Sequence, residues 1–160
     1  MDRLWSPWRY QYISEASKSD SCIFCDALAL KDDRKALILF RGRFNFIILN
    51  RFPYTTGHVM IVPFDHVAEL SRCSPQTLAE MMHLAQRMES ALADNYHPEG
   101  FNVGMNIGRC AGAGVVGHVH LHVLPRWTGD TNFMTTVSET RLQPEALDQT
   151  FEKLERSLAS

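Results

Sequence analysis

The chain has 160 residues, of which 45% are hydrophobic and 21% charged, with a formal net charge of −2. That size and balance describe one globular domain able to bury its own core. The lack of a basic excess argues against a nucleic-acid polymer as partner. No apolar run reaches membrane-spanning length, and the opening "MDRLWSPWRYQYI" is too polar for a signal peptide. A cytoplasmic protein with no membrane partner is the expectation.

In chain order, residues 1–21 form an aromatic N-terminal arm and a loop. The arm, "LWSPWRYQYI", holds two Trp and two Tyr and suits packing on its own domain or on a partner subunit. The polar stretch Ser14–Ser21 reads as the loop. Cys22-Ile-Phe-Cys25 follows. In a signal-less chain with four cysteines, this C-x-x-C points to a metal or to redox work rather than a structural disulfide. Ala36–Phe40 and Phe44–Asn50 read as two strands around a turn at Gly42, and Gly57–Pro63 as a third strand ended by its proline. A long helix then starts with Ser74 as cap and Pro75 in first position. Its core face is expected at Leu78, Met81, Met82, Ala85, Met88 and Leu92, with His83 beside the stripe and His97 in a turn. Phe101–Gly108 is a fourth strand and His118–Leu124 a fifth. Pro144 to Leu158 carries Leu147, Phe151, Leu154 and Leu158 at helical spacing. The sum is an α+β fold: a five-stranded, mostly antiparallel sheet with one long helix and a C-terminal helix. It forms a single domain over 1–160, with its core at 22–134 and a C-terminal extension at 135–160.

The segment "HVHLHVLPR" places His118, His120 and His122 at period two. In a strand they project from one face, about 6.5 Å between neighbours, while Val119, Leu121 and Val123 face the other way. Such a row can supply metal ligands, a nucleophile, or donors to a phosphate. The lead-in "GRCAGAGVVG" has four glycines in ten residues, Gly108, Gly112, Gly114 and Gly117. Glycine lets backbone N–H groups approach an anion closely, which favours a phosphate over an open metal site.

"HVHLHVLPRW" resembles the histidine-triad motif of the HIT superfamily of nucleotidyl hydrolases and transferases. "FIILNRFPYTTGHVMIVPFDHVAEL" (Phe46–Leu70) is similar to that family's strand-loop-strand segment, and "CIFC" to the N-terminal half-site for zinc of many bacterial members. "LWSPWR" and "PRWTGDTNFM" resemble the branch that includes diadenosine tetraphosphate phosphorylases. The resemblance covers Leu4 to Met134. It implies that His120 attacks the α-phosphorus of a nucleotide, that His122 hydrogen-bonds phosphate or leaving group, and that His58 shares the pocket. It implies a structural zinc on Cys22, Cys25, His66 and His118. For the nucleotide it implies Asn50 at the ribose, Asn106 near the phosphates, and backbone donors at Gly112, Gly114 and Val115. Leu39, Phe44, Phe46 and Ile48 are candidates for the base pocket, Phe44 first among them, and Arg126 is a candidate for phosphate. Many relatives carry a Ser or Thr hydroxyl just before the triad. Val115 stands there in this chain, which makes the phosphorylase branch more attractive than hydrolytic geometry.

The implied substrates are adenine nucleotides or dinucleoside polyphosphates, with water or inorganic phosphate as acceptor. A homodimer is expected, with the aromatic arm and the long helix at the contact. Two alternatives stand beside this reading: a zinc-dependent hydrolase with its metal on the triad, and a non-catalytic nucleotide-binding module.

Overall fold

In the computed structural model, residues 21–131 and 144–159 are described. The aromatic arm, most of the loop after it, and residues 132–134 at the end of the expected core lie outside them. Strands β1 (Ile38–Arg41), β2 (Asn45–Leu49), β3 (Val59–Pro63), β4 (Gly100–Gly104) and β5 (Leu121–Arg126) form one sheet in the order β1-β2-β3-β5-β4. Every neighbouring pair is antiparallel. The last two strands exchange places because the chain crosses to the far edge before returning to the middle. Register places Ile38, Ile48, Met60, His122 and Gly104 in one row across all five strands. Directly opposed residues share a face, so this row marks the face that bears the site.

Among the described residues, four α-helices accompany the sheet: α1 (Ile23–Ala29), α2 (Asp33–Ala36), α3 (Pro75–Tyr96) and α4 (Leu147–Ala159). The Ser74 hydroxyl caps α3 by accepting the N–H of Thr77 at 3.0 Å. The helix stops where His97 turns left-handed, at φ 47. Its buried face is Thr77, Met81, Leu84, Ala85, Met88, Ala91 and Leu92. Met82 is 59% exposed, because it sits one residue, about 100° of helix, from buried Met81. Leu78 is half-buried, and His83 and His97 are exposed. Helix α3 packs on β2, β3 and β5, and α4 packs on α3 and β1.

Sequence periodicity did not separate α1 and α2 from their surroundings. Ala36, expected in the first strand, closes α2, and Leu37 turns left-handed at φ 63 before β1 begins. The fourth strand ends at Gly104 rather than Gly108. The fifth starts at Leu121 and runs through Pro125, which pairs with Phe101. Proline is tolerated there because β3 pairs with β5 only at Leu121, His122 and Val123. The Pro125 carbonyl accepts instead from the Thr55 hydroxyl at 3.2 Å. Gly57, at φ +80, lets the chain pass this corner, where an added Cβ would lie 2.8 Å from Leu92 Cδ2 and 3.3 Å from Pro125 Cγ.

Glu80 on α3 holds the β1–β2 turn. Its carboxylate accepts the backbone N–H groups of Arg43, Phe44 and Asn45 and the side-chain amide of Asn45, all at 2.7–2.8 Å. Burial alone would raise its pKa, but the Asn45 amide and the three N–H groups hold it below the usual carboxylate range.

Candidate active site and metal centre

Only His122 of the three alternating histidines lies within β5. His118 and His120 precede it, because the Val119 N–H bonds the Val67 carbonyl at 2.7 Å instead of a neighbouring strand. His118 and His120 are nonetheless buried, at 0% and 4% exposure. The His120 and His122 rings meet edge to face, with centroids 4.8 Å apart.

Partners fix which ring nitrogen carries each proton. Nδ1–H of His120 donates to the His118 carbonyl at 2.8 Å, which leaves Nε2 as the lone-pair nitrogen. That Nε2 makes no hydrogen bond among the described residues, and it is not sealed off either. Among them, the buried side-chain nitrogens and oxygens without a partner reduce to Asn45 Oδ1. Burial lowers the His120 pKa against the opposing pull of the His118 carbonyl, so the ring is held neutral. His122 is pushed down to about 4, by burial and then by His120. Its Nδ1 lies 2.9 Å from His58 Nε2.

His118 faces elsewhere. Its Nε2–H donates to the Pro63 carbonyl at 2.9 Å, which turns Nδ1 toward Cys22 Sγ at 3.3 Å and Cys25 Sγ at 3.8 Å. His66 Nδ1 lies 3.3 Å from Cys25 Sγ. The four ligand atoms of Cys22, Cys25, His66 and His118 all fall within 4.8 Å of one another. A tetrahedral ion with metal–sulfur and metal–nitrogen bonds of about 2.3 and 2.0 Å spaces sulfur and nitrogen about 3.5 Å apart, so the donor set fits one. Burial, then the neighbouring Cys22 thiol, push the Cys25 thiol up, and a bound dication is what would hold both as thiolates. Burial keeps His118 neutral, the form that ligates, and the Pro63 carbonyl supplies the outer hydrogen bond that fixes its tautomer. Helix α1 makes the cysteine pair possible: Cys22 immediately precedes it and Cys25 lies in its first turn. Gly117 leaves room for His66, whose Nε2 would stand 3.3 Å from an added Cβ. The α1 residue Phe24, 1% exposed, packs on both His118 and His120, with centroids 5.4 and 5.1 Å away.

The expected nucleotide contacts divide. Asn50 lies beside His58, its Nδ2 3.2 Å from His58 Nδ1. Leu39, Phe46 and Ile48 are buried in the core at 7%, 0% and 6% exposure and offer no open pocket wall. Phe44 is half-buried and remains reachable, with the Arg43 guanidinium 5.1 Å over its ring. Arg126 spends its guanidinium on the Asp130 carboxylate and on Asn102 Oδ1. Asn106 is half-buried, Gly112 adopts a left-handed turn at φ 88, and Gly114 is exposed. Val115 packs against the core. A cavity of about 230 Å³ is lined by Leu49, Arg51, Gly57, His58, Leu147 and Thr150; neither His120 nor His122 lines it. Sequence reasoning missed the backbone partners Pro63, Val67 and Tyr54, and the ring of Phe24. No local pattern encodes the carbonyl contacts, but Phe24 lies inside the quoted C-x-x-C.

The profile of the HIT domain matches residues 33–129, more than half of the chain. The chain belongs to the HIT family. It is 36% identical to an AP-4-A phosphorylase of Mycobacterium tuberculosis over 158 aligned residues, covering 94% of this chain and 80% of that protein. It is 31% identical over 106 residues to an adenosine 5'-monophosphoramidase of Schizosaccharomyces pombe, covering 66% and 74% of the two chains. Among solved structures, a zinc-bound histidine triad family protein of Mycobacterium smegmatis superposes with a TM-score of 0.70. It shares 30% identity, with 87% of this chain and 94% of that one covered. No helix among the described residues is long and apolar enough to cross a membrane.

Proposed function

We propose that this HIT protein is an enzyme that cleaves the α-phosphoanhydride of adenine nucleotides, with dinucleoside polyphosphates as leading substrates and inorganic phosphate as preferred acceptor. The observation that carries the reading is the state of His120: Nδ1–H tied to the His118 carbonyl, Nε2 left open. In the first half-reaction Nε2 attacks the α-phosphorus, a phosphorus–nitrogen bond forms, and the bond to the bridging oxygen breaks. The leaving nucleotide takes the electron pair, while His122 Nε2–H hydrogen-bonds the developing charge. In the second half-reaction phosphate or water attacks the nucleotidyl phosphorus and returns the lone pair to His120. Similarity to the AP-4-A phosphorylase and the side-chain change at Val115 both support phosphate as acceptor.

Cys22, Cys25, His66 and His118 are proposed to hold a structural zinc, which fastens α1 to the catalytic segment and takes no part in bond making. The rival arrangement, metal on the triad, is disfavoured because His118 turns to the cysteines while His122 pairs with His58. The reading includes a homodimer, which light scattering checks directly.

The deciding experiment incubates the protein with diadenosine tetraphosphate, with and without inorganic phosphate. ADP plus ATP, formed only with phosphate, is the expected result. AMP plus ATP without phosphate means that water is the acceptor. Two ADP would require attack away from the α-phosphorus and would reject the His120 route. Nucleotide binding with no product would leave the non-catalytic module.

A further inference from the structure

His58 is buried, at 0% exposure, and its ring nitrogens are taken up by protein partners. It is also wedged into a chain of hydrogen bonds whose direction is determined. The Tyr54 N–H donates to His58 Nδ1 at 3.2 Å. Asn50 Nδ2 lies at the same nitrogen, also at 3.2 Å. The Asn50 amide cannot be turned over, because its Oδ1 accepts the Phe52 N–H at 2.9 Å. The Tyr54 N–H directly, and the Phe52 N–H through the Asn50 amide that it orients, thus make His58 Nδ1 an acceptor. A neutral His58 then carries its proton on Nε2 and donates it to His122 Nδ1, 2.9 Å away. His122 in turn carries its own proton on Nε2. The Tyr54 ring stacks on His58 with centroids 5.0 Å apart and fixes the plane of the imidazole.

We propose that His58 is a positioning residue that locks His122 with Nε2–H as its outward donor, and that Asn50 with the Tyr54 N–H is the origin of that polarity. The opposite tautomer of His58 would set Nδ1–H against the Tyr54 N–H. It would also make His122 Nδ1 the protonated nitrogen and leave a lone pair facing the phosphate oxygens. The direction of five hydrogen-bonding groups therefore decides whether the active site attracts or repels its substrate. This assignment gives His58 and Asn50 work inside the protein, distinct from the phosphate and ribose contacts that the family resemblance implies for them. It rests on the nucleotidyl-transfer reading only for its consequence in catalysis.

The test is the ring nitrogen-15 spectrum of histidine-labelled full-length protein, taken without substrate near pH 8. His58 and His122 are expected to show bare Nδ1 and protonated Nε2. A proton on Nδ1 of His122, or an even mixture of its tautomers, overturns the proposal without any variant being needed. His58→Leu removes the donor and should leave His122 as a tautomer mixture, with kcat down about tenfold or more and KM within about threefold. His58→Gln keeps an amide N–H for His122 and should recover most of the lost kcat. If both variants instead raise KM while the His122 tautomer stays put, His58 acts on substrate and the proposal fails. An enzyme with no turnover at all would reject the nucleotidyl-transfer reading, while the spectrum would still decide the tautomers.

Discussion

The carbonyl of His118 accepts the Nδ1–H of His120 at 2.8 Å, while the His118 ring points the other way, toward Cys22 and Cys25. One residue thus holds the His120 ring by its backbone and faces the cysteine pair with its side chain. The two sets of contacts meet at His118 without sharing an atom.

Replacing His120, the proposed nucleophile, should abolish chemistry and spare binding. His120→Ala is expected to lower kcat by about a thousandfold or more. Its nucleotide affinity should stay within a few-fold, because the backbone donors and the remaining rings persist. Single-turnover kinetics with radiolabelled substrate also checks the intermediate, since wild-type protein should retain acid-labile label and the variant none.

Metal removal should act first on stability. One zinc per chain is expected by elemental analysis, and Cys22→Ser should reduce it to substoichiometric levels. Chelated protein should melt at least about 5 °C lower, because a ligand that binds only the folded state is lost. An unchanged Tm after complete removal would mean that the four ligands do not carry the segment that α1 belongs to.

His122 gives stability a definite pH dependence. Its folded pKa is about 4, below the ordinary histidine value near 6.5. As pH falls below 6.5 the unfolded chain takes the proton first. The contribution is therefore complete above about 6.5 and is lost progressively toward about 4. Tm should decline across that window, and His122→Asn should flatten part of the decline. Equal slopes in wild type and variant would show that His122 is not held neutral by burial.

Glu80→Ala should cost about 2–3 kcal/mol, because it leaves three turn N–H groups and the Asn45 amide without their acceptor. Urea denaturation measures this, and a loss under 0.5 kcal/mol (about the scatter of surface substitutions) would mean that water replaces the carboxylate freely.

Gly57→Ala combines a strained backbone with a 2.8 Å approach to Leu92 Cδ2, and should destabilise by about 1–3 kcal/mol. The same corner carries His58, so its nitrogen-15 shifts should move with the loss of stability.

Much of this was legible before any coordinates. The period-two histidines, the cap at Ser74 and the stripe along α3 are local patterns, and local patterns are what a sequence displays. The row of histidines announced the nearness of His120 and His122, but hydrogen bonding to Val67 starts β5 three residues late and the His118 ring turns to the cysteines. Helix α2 went unread because it is four residues long and stops on Leu37, which lacks the usual glycine signal. The Glu80 clamp and the His58–His122 pair join positions 35–37 and 64 residues apart, and no spacing rule reaches that far. Arg126 was nearer to hand: Asp130 lies four residues on and could have been read as its partner. Phe46, a candidate for the base pocket, is buried in the core, and no local pattern says what covers a residue.

Pro125 sits in β5 with its carbonyl, and hence its nitrogen, on the β3 side, just past the last residue that β3 pairs. Were β5 to slide two positions along its neighbour, that ring would arrive where the ladder demands a proton it does not own. The proline works as a pawl. The imidazoles hold one phase against the sheet, and a two-residue slip that would bring Pro125 opposite Val59 while keeping them on the same face is the slip it forbids.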